Sequence, residues 1–245
     1  MSEIIKTEAV VLKKIDYGDT SVIASLYTRE FGKISAIVKG GRSTKSKAGR
    51  IVDPLNHLQI IIYKKETRDV QLLSDAEIIS HFSKLKENLS ALKYSYAIIE
   101  LVHKLTSDYE ENKRTFNGIV RILSLLEKGE EKPEVLFGKF FIFLMKETGY
   151  EIQLKKCSVC GRTDLQNMIL GFNWDSGMLC ANCKEEKENN FKINPELFDY
   201  LKCLKYNRFI PEMSNTINNY VNKFFESYLQ FHVPGFKEIQ SLKSF

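Results

Sequence analysis

The sequence has few features of a membrane or secreted protein. None of its apolar runs approaches the roughly 18–20 residues that are needed to span a bilayer. Its N-terminal segment, MSEIIKTEAVVLKK, mixes acids with lysines, whereas a signal peptide has a basic start followed by an apolar core. We therefore expect a cytoplasmic protein without a membrane partner, in which cysteine thiols stay reduced.

The sequence is also poor in histidine, the residue used most often in acid–base catalysis. It contains four histidines, and none belongs to a metal-ligand or nucleophile motif: His57, His81, His103 and His232. This absence argues against a hydrolase, and we predict that the chain is not an enzyme. The net charge of +5 permits an acidic partner but does not require one.

The first 79 residues have the composition of β-strands. Turn-forming residues separate segments rich in Val, Ile and Tyr: IIKTEAVVLKKI, SVIASLYT, GKISAIVKG, HLQIIIYKK and VQLLSDAEI. Short strands in this number and spacing fit a small closed barrel, which leaves no free edge. A two-sheet sandwich is the alternative. We predict that residues 1–79 form a β-barrel domain.

The pattern becomes helical from residue 80 to residue 245. Apolar residues recur every three or four positions over Leu85–Leu105, which predicts one amphipathic helix. Further helices are predicted over Lys113–Lys128, from Pro133 to Gly149, from Pro195, and over Ser214–Tyr228. The chain is therefore predicted to be a multi-domain α+β protein, with an insertion in the helical domain at about residues 152–190.

The insertion contains two CxxC pairs, Cys157 with Cys160 and Cys180 with Cys183. Their separation is typical of a four-cysteine zinc site. The segment ILGFNW and the turn Asp175–Gly177 can form a hairpin that brings the second pair back to the first. The pattern therefore predicts that the four cysteines bind one metal ion.

Two other interpretations of these cysteines are weaker. They could be inert buried thiols, or they could hold a catalytic zinc ion. A catalytic site keeps one coordination position open, whereas four thiolates close it, and no HxE motif accompanies them. We therefore predict structural Zn²⁺. The remaining cysteine, Cys203, is predicted to pack in a helix core rather than to bind the metal.

Residues 39–50, KGGRSTKSKAGR, form a cationic segment without a single acid. Its positive charges are Lys39, Arg42, Lys45, Lys47 and Arg50. The segment lacks the glycine before Lys-Ser that a nucleotide-binding P-loop requires, and no following helix is expected. A solvated surface loop remains possible. The segment joins two strands of a small barrel, and small barrels often bind ligands with such loops. We therefore favour the interpretation that the segment binds the phosphates of a nucleic acid.

Single-stranded nucleic acid would also need aromatic rings on which its bases can stack. The candidates are Tyr17, Tyr27, Phe31 and Tyr63. Contacts to five phosphates of a single strand would give a slope of log K against log salt near about −3.5. Binding of this kind is expected to be indifferent to sequence.

Three segments of the sequence match the pattern of one known family. EAVVLKKIDYGDTSVIASLYTREFGKISAIVKGGRSTKS has the VVL-type strand, the glycine–acid turn and the KG-x-R loop that open this pattern. CSVCG…FNWDSGMLCANC is similar to its zinc-binding segment, and YLQFHVPGFKEIQSLKSF to its closing helix and tail. On these segments the chain resembles the RecO family of bacterial recombination mediators. Ser176-Gly177 stands where the family often has two glycines, and the C-terminus has few basic residues.

The resemblance implies an N-terminal OB-fold, a helical domain and an embedded zinc element. It also implies a role in DNA repair: binding single- and double-stranded DNA, annealing complementary strands, and helping to load RecA onto DNA coated with single-stranded DNA-binding protein. RecR and the C-terminal tail of that coating protein would be partners, and the nucleoid the location. The cations of residues 39–50 would grip DNA. A zinc-ribbon adaptor of the transcription machinery is the alternative function.

Overall fold

The computed structural model of the chain describes residues 2–208 and 215–244. All five predicted strands are present: β1 (Glu3–Tyr17), β2 (Ser21–Thr28), β3 (Gly32–Val38), β4 (His57–Lys64) and β5 (Val70–Ser80). They form one closed barrel in the order β1-β2-β3-β5-β4, in which β1 pairs with both β2 and β4 and only the β3–β5 pair is parallel. This single closed sheet differs from a two-sheet sandwich and is consistent with an OB-fold.

Alternating side chains fill the interior of the barrel. In β3 the residues Ile34, Ala36 and Val38 are buried, whereas Ser35 and Ile37 between them are partly exposed. The buried cluster draws on every strand of the barrel: Ala9, Val11, Val22, Ala24, Leu26, Ile34, Ala36, Val38, Leu58, Ile60, Ile62, Leu73 and Ala76. Because side chains alternate between faces, the intervening residues lie on the outer face of the barrel.

The helices agree with the prediction except for two short unpredicted helices, a break in the first predicted helix and a longer last helix. Their bounds are α1 (Lys47–Ile51), α2 (Ser83–Glu87), α3 (Leu89–Leu105), α4 (Lys113–Lys128), α5 (Pro133–Glu147), α6 (Cys183–Glu186), α7 (Pro195–Lys205) and α8 (Asn215–His232). The short helices α1 and α6 were not predicted, and α8 continues four residues beyond Tyr228. Ser214, the predicted first residue of the last helix, lies outside the described residues.

The prediction of one continuous helix over Leu85–Leu105 is wrong. Asn88 has an extended backbone, with φ −98° and ψ 112°, and separates α2 from α3. Its side-chain oxygen accepts a hydrogen bond from the backbone N–H of Ala91 at 3.0 Å. Asparagine is a strong helix N-cap, and this cap starts a new helix where the apolar periodicity suggested continuation.

The chain divides into two compact units. One runs from the N-terminus to Leu136 and includes the segment from Gln240 onward, and the other is Phe137–Ile239. The boundary after residue 79 between a barrel domain and a helical domain stays a prediction. No helix in the described ranges, 2–208 and 215–244, has the length and apolar character needed to cross a bilayer.

Glu100 of α3 ties the C-terminal segment to the first unit. Its carboxylate accepts hydrogen bonds from the backbone N–H groups of Gln240 at 2.9 Å and Ser241 at 2.8 Å, and from the Ser241 hydroxyl at 2.6 Å. Lys104 Nζ lies 2.7 Å from the same carboxylate. Burial raises the pKa of Glu100, but these donors together lower it below its usual value.

We expect Glu100→Gln to lower the free energy of unfolding by about 1–2 kcal/mol at pH 7, because it removes the charge that these donors face. A folded-state pKa below the unfolded one stabilises the fold above the unfolded pKa and loses that effect as pH falls through the folded pKa. The difference from wild type should therefore shrink below about pH 4. Urea titrations across pH measure it. Glu87→Gln, at an exposed carboxylate, is the control, and an equal loss there would contradict the assignment.

Candidate nucleic-acid interface and metal centre

The cationic segment leaves β3, turns, and ends in α1. The Ser46 hydroxyl caps this helix by accepting a hydrogen bond from the backbone N–H of Gly49 at 3.1 Å. The expectation that no helix follows is therefore wrong. Serine at the cap position explains the helix, since it satisfies one of the free N–H groups of the first turn.

Backbone contacts fix the cationic segment to the rim of the barrel. The N–H of Arg42 donates to the carbonyl of Thr20 in the β1–β2 turn at 2.9 Å. Gly49 and Gly41 approach so closely that a Cβ on Gly49 would lie 2.0 Å from the Gly41 carbonyl oxygen. Lys14 of β1 donates from Nζ to the Gly49 carbonyl at 2.9 Å. The segment is thus anchored at both ends.

The five cations of the segment are all exposed: Lys39, Arg42, Lys45, Lys47 and Arg50. Arg42 lies beside the β1–β2 turn, with Nε 3.5 Å from Asp16 and Nη1 donating to the Gly18 carbonyl at 3.2 Å. Within the described residues, no carboxylate is within ion-pairing distance of the other four. The segment therefore presents positive charge that the described parts of the chain leave largely uncompensated.

The aromatic candidates differ in accessibility. Tyr17 is 56% exposed at the end of β1, and Phe31 and Tyr63 are partly exposed. Tyr27 is only 1% exposed, so its proposed role in base stacking is wrong. Other parts of this face of β2 are also packed, since His103 Nδ1 of α3 lies 3.1 Å from the hydroxyl of Ser25. Tyr27 contributes to packing instead.

The cysteine cluster consists of Cys157, Cys160, Cys180 and Cys183, whose sulfur atoms all lie within 4.8 Å of one another. Four thiolates about 2.3 Å from a tetrahedral metal would be about 3.8 Å apart. The Sγ atoms of Cys160 and Cys180 are 3.7 Å apart. The predicted residues therefore come together in an arrangement that can hold one metal ion. Cys203, on α7, is not a member of this cluster.

Local backbone geometry directs these sulfurs inward. Gly161, at φ +75°, closes the first CxxC turn by donating its N–H to the Cys157 carbonyl at 3.0 Å. The strands β6 (Leu170–Asn173) and β7 (Gly177–Leu179) form the predicted hairpin. Ser158 joins the first pair to this hairpin, because its N–H donates to the Met178 carbonyl at 2.8 Å. The hairpin thus brings both pairs to one point.

The Ser176-Gly177 departure has a structural explanation in the hairpin turn. The Ser176 hydroxyl donates to Asn173 Oδ1 at 2.8 Å, and the Ser176 N–H donates to the same atom at 2.9 Å. Gly177 has φ +93°, a conformation that favours glycine. A serine therefore fits the first position of this turn, whereas the second requires glycine.

The protonation of the thiols shows why the cluster suits a cation. Burial raises the pKa of Cys157, but backbone N–H groups, chiefly those of Cys160 and Cys180, outweigh it and lower that pKa to about 6. Hydrogen bonding to Cys180, together with burial and neighbouring thiols, raises the pKa of Cys183 to about 12. Adjacent thiolates repel one another, so a bound cation is needed to keep all four ionised.

An aromatic cluster joins the metal-binding hairpin to α8. Trp174, directly after β6, has its ring centroid 5.7 Å from that of Phe224 and 6.0 Å from that of Tyr228. Phe172 meets Phe224 edge-on at 5.2 Å. Phe191, on the unpredicted strand β8 (Phe191–Ile193), lies 5.3 Å from Phe224. The hairpin therefore packs as part of the second unit.

The sequence did not predict the role of Lys14, which holds the cationic segment at the rim of the barrel. It follows a register shift between Val11 and Lys13, beyond which Lys14 pairs with the inward residue Ala24. Its side chain lies at the rim, where it reaches the Gly49 carbonyl and Asp53. Nothing in the pattern VVLKK marks this bulge, so the sequence carries no signal that separates Lys14 from Lys13.

The described features define a chain with a small β-barrel that displays an exposed cationic segment, followed by helices and a four-cysteine metal-binding hairpin. Comparison with known families agrees. The family described as "Recombination protein O N terminal" matches residues 1–82, and "Recombination protein O C terminal" matches residues 86–238. The chain belongs to the RecO family.

Individual relatives carry the same name. "DNA repair protein RecO" of Alkaliphilus metalliredigens is 30% identical over 241 residues, which cover 94% of each chain. The protein of that name from Caldicellulosiruptor bescii is 31% identical over 191 residues, 78% of this chain and 77% of the relative. That from Chlorobium limicola is 37% identical over 158 residues, 64% of this chain and 60% of the relative.

Proposed function

We propose that this chain is a DNA-binding mediator of repair and homologous recombination. The observation that carries the proposal is the cationic segment, in which Lys39, Lys45, Lys47 and Arg50 have no carboxylate partner among the described residues. The segment lies at the rim of a five-stranded closed barrel, which is consistent with an OB-fold. Membership of the RecO family supports the same function.

The mechanism is electrostatic rather than catalytic. Two complementary strands repel each other through their phosphates, and cations between them offset that repulsion. The chain would thereby bind single- and double-stranded DNA, anneal complementary strands, and help to load RecA onto strands coated with single-stranded DNA-binding protein. RecR and the C-terminal tail of the coating protein, docked on the helical part, would act with it at the bacterial nucleoid.

We propose that the cysteine cluster holds Zn²⁺ in a structural role. Four thiolates are soft donors and favour zinc among the common divalent ions. They also leave no open position for water or substrate, so the ion would supply folding energy rather than chemistry.

The triple substitution Arg42→Ala, Lys45→Ala, Lys47→Ala tests the DNA-binding role. We expect weaker binding to oligothymidylate and a shallower slope of log K against log salt. The slope should change from about −3.5 to about −1.4, because each lost phosphate contact reduces its magnitude by about 0.7. Fluorescence anisotropy over a range of salt concentrations measures both. Folding should be unaffected, since the three side chains are exposed.

The matched control removes the same charges elsewhere in the first unit. Lys6, Arg68 and Lys84 are exposed and lie outside the cationic segment, and their replacement by alanine should leave the slope near the wild-type value. An unchanged slope in the first variant would refute the assignment. Failure of wild type to bind bare oligonucleotide at low salt would instead favour a protein–protein adaptor.

A further inference from the structure

The four cysteines of the metal-binding cluster differ in their exposure to solvent. Cys157, Cys180 and Cys183 are buried, whereas Cys160 is exposed. The residue before it, Val159, is 51% exposed, so the turn of the first CxxC pair faces water. A small oxidant that cannot enter the packed interior can therefore contact one sulfur of this cluster.

Hydrogen bonds stabilise the sulfur atoms unequally. The N–H of Cys180 donates to Cys157 Sγ at 3.4 Å. Among residues 2–208 and 215–244, Cys160 Sγ has no N–H donor, and its polar contact is with Cys180 Sγ at 3.7 Å. A hydrogen bond stabilises the charge of a thiolate, and a thiolate stabilised in this way is a weaker nucleophile. Cys160 therefore combines the most accessible sulfur with a full nucleophilic strength.

Positive charge surrounds the turn of the first CxxC pair. Lys155 and Lys156 directly precede Cys157, Arg162 lies just after the turn, and all three cations are exposed. The Arg162 carbonyl accepts a hydrogen bond from the Cys157 N–H at 2.8 Å, which holds Arg162 at the turn. In the described part of the chain, no carboxylate forms an ion pair with any of these cations. Reactive cysteines occur in partly exposed, electropositive surroundings of this kind.

Cys180 is a second thiol within reach of Cys160. Their Sγ atoms are 3.7 Å apart, and a disulfide requires an approach to about 2.05 Å. Cys160 belongs to an exposed turn, and Cys180 follows the end of β7. The two sulfurs can therefore meet without breaking the pairing of β6 with β7.

We propose that Cys160 is a site of oxidation by hydrogen peroxide, and that its disulfide with Cys180 prevents the cluster from holding a metal ion. This inference rests on the proposed Zn²⁺ site and adds a redox response to it. The modification has two steps, and each step is a nucleophilic attack by a cysteine thiolate.

In the first step, the Cys160 thiolate attacks one peroxide oxygen, so the S–O bond forms, the O–O bond breaks and hydroxide leaves. In the second, the Cys180 thiolate attacks Cys160 Sγ, so the S–S bond forms, the S–O bond breaks and a second hydroxide leaves. The two thiolates lose two electrons, which reduce peroxide to two hydroxide ions. These ions take up two protons and become water.

The disulfide is expected to act on the second unit of the chain. It leaves only Cys157 and Cys183 as thiolates, whereas a structural zinc site uses four ligands. Loss of the ion should loosen the hairpin that supplies Trp174 to the contact with Phe224 of α8. The cationic segment belongs to the other unit, so we expect oxidised protein to keep its affinity for oligothymidylate.

The test treats full-length, zinc-containing protein with hydrogen peroxide. An indicator dye measures released zinc, fluorescence follows Trp174, and mass spectrometry of unreduced peptides maps disulfides. We expect release of one zinc ion per chain, a red shift of the emission, and a disulfide between Cys160 and Cys180. A thiol reductant with added zinc should reverse all three changes, because a disulfide is a reversible product of cysteine oxidation.

Two variants serve as controls. Cys160→His replaces the exposed thiolate with another zinc ligand, since three cysteines and one histidine also form structural zinc sites. We expect it to hold zinc and to release it at least about tenfold more slowly in peroxide, because the accessible thiolate is gone. Cys203→Ser removes a thiol outside the cluster and should release zinc as wild type does.

The outcomes separate this inference from the zinc site on which it rests. Wild-type protein purified without chelator and free of zinc would overturn both. Zinc-containing protein that keeps its ion while peroxide oxidises Cys203 would overturn the redox response alone. A disulfide between Cys160 and Cys157 would overturn the choice of Cys180 as partner, and a disulfide without Cys160 would overturn the whole inference. This map of the wild type decides even if Cys160→His fails to fold.

Discussion

Removing the metal from the cysteine cluster is expected to unfold the hairpin of β6 and β7 and to expose Trp174 to water. The sequence between the two CxxC pairs is too short to build a core of its own, so metal binding there is folding energy. The hairpin also supplies Phe172 and Trp174 to the cluster that packs on Phe224 of α8. Loss of the ion should therefore also loosen the second unit.

Trp174 is the only tryptophan in the sequence, which makes its fluorescence a specific reporter of this region. It is 9% exposed in the folded chain. We expect chelator to shift its emission to the red and zinc to reverse the shift. Structural zinc contributes about 10–16 kcal/mol of apparent binding energy in small metal-dependent domains, so the effect should exceed that of any single side-chain substitution.

Cysteine substitutions supply a matched pair for the same prediction. Cys160 is exposed, so its replacement by serine would cost little if it had no metal to bind. We expect Cys160→Ser to lower zinc content and thermal stability sharply, whereas Cys203→Ser, outside the cluster, should retain one zinc ion per chain. Protein purified without chelator and found free of zinc would contradict the assignment, as would equal behaviour of the two variants.

Much of this fold is predictable because local signals and tertiary packing agree. In β3 the alternation of Ile34, Ala36 and Val38 with more exposed residues gives both the strand and its buried face. Asn112 and Gly129 mark the ends of α4, one by capping the Thr115 N–H at 2.9 Å and the other by adopting φ +68°. The cluster of four cysteines is predictable because the spacing of the two CxxC pairs is sufficient to identify it.

Prediction from the sequence fails where one local pattern masks another. Leu89 continues the apolar spacing of Leu85, yet it is 66% exposed, because the cap at Asn88 turns the chain before α3 begins. The exposed apolar residues on the outer face of the barrel are missed for a different reason. Alternation identifies which residues face the core, but Ile23 and Ile37 occupy the other face, and only strand register shows that they are neighbours.

The substitution Gly49→Ala is expected to destabilise the chain by about 3 kcal/mol, at the upper end of the usual range for overpacking. The new Cβ would lie 2.0 Å from the Gly41 carbonyl oxygen, so α1 and the turn that follows β3 would have to separate. Helix propensity alone predicts the opposite sign, because alanine favours a helix over glycine by about 1 kcal/mol. Denaturant unfolding therefore decides which effect dominates.

Gly40→Ala is the matched control, since it makes the same change in the same segment. Gly40 has φ +64°, and no heavy atom lies within 4 Å of the position that an alanine methyl would occupy. Only the left-handed backbone therefore opposes alanine there, at about 1–2 kcal/mol. A loss at Gly49 no greater than that at Gly40 would contradict the close approach as the anchor of the segment.

The same pair of variants tests whether DNA affinity depends only on the positive charges of the cationic segment or also on its anchored geometry. Both keep every cation of residues 39–50, so a purely electrostatic attraction would leave the affinity for oligothymidylate unchanged in both. If the anchored geometry matters, Gly49→Ala should bind several-fold more weakly, because free side chains lose about 0.5–1.5 kcal/mol each when they are ordered on a ligand. Equal affinities for Gly49→Ala and wild type would show that the anchor serves stability alone.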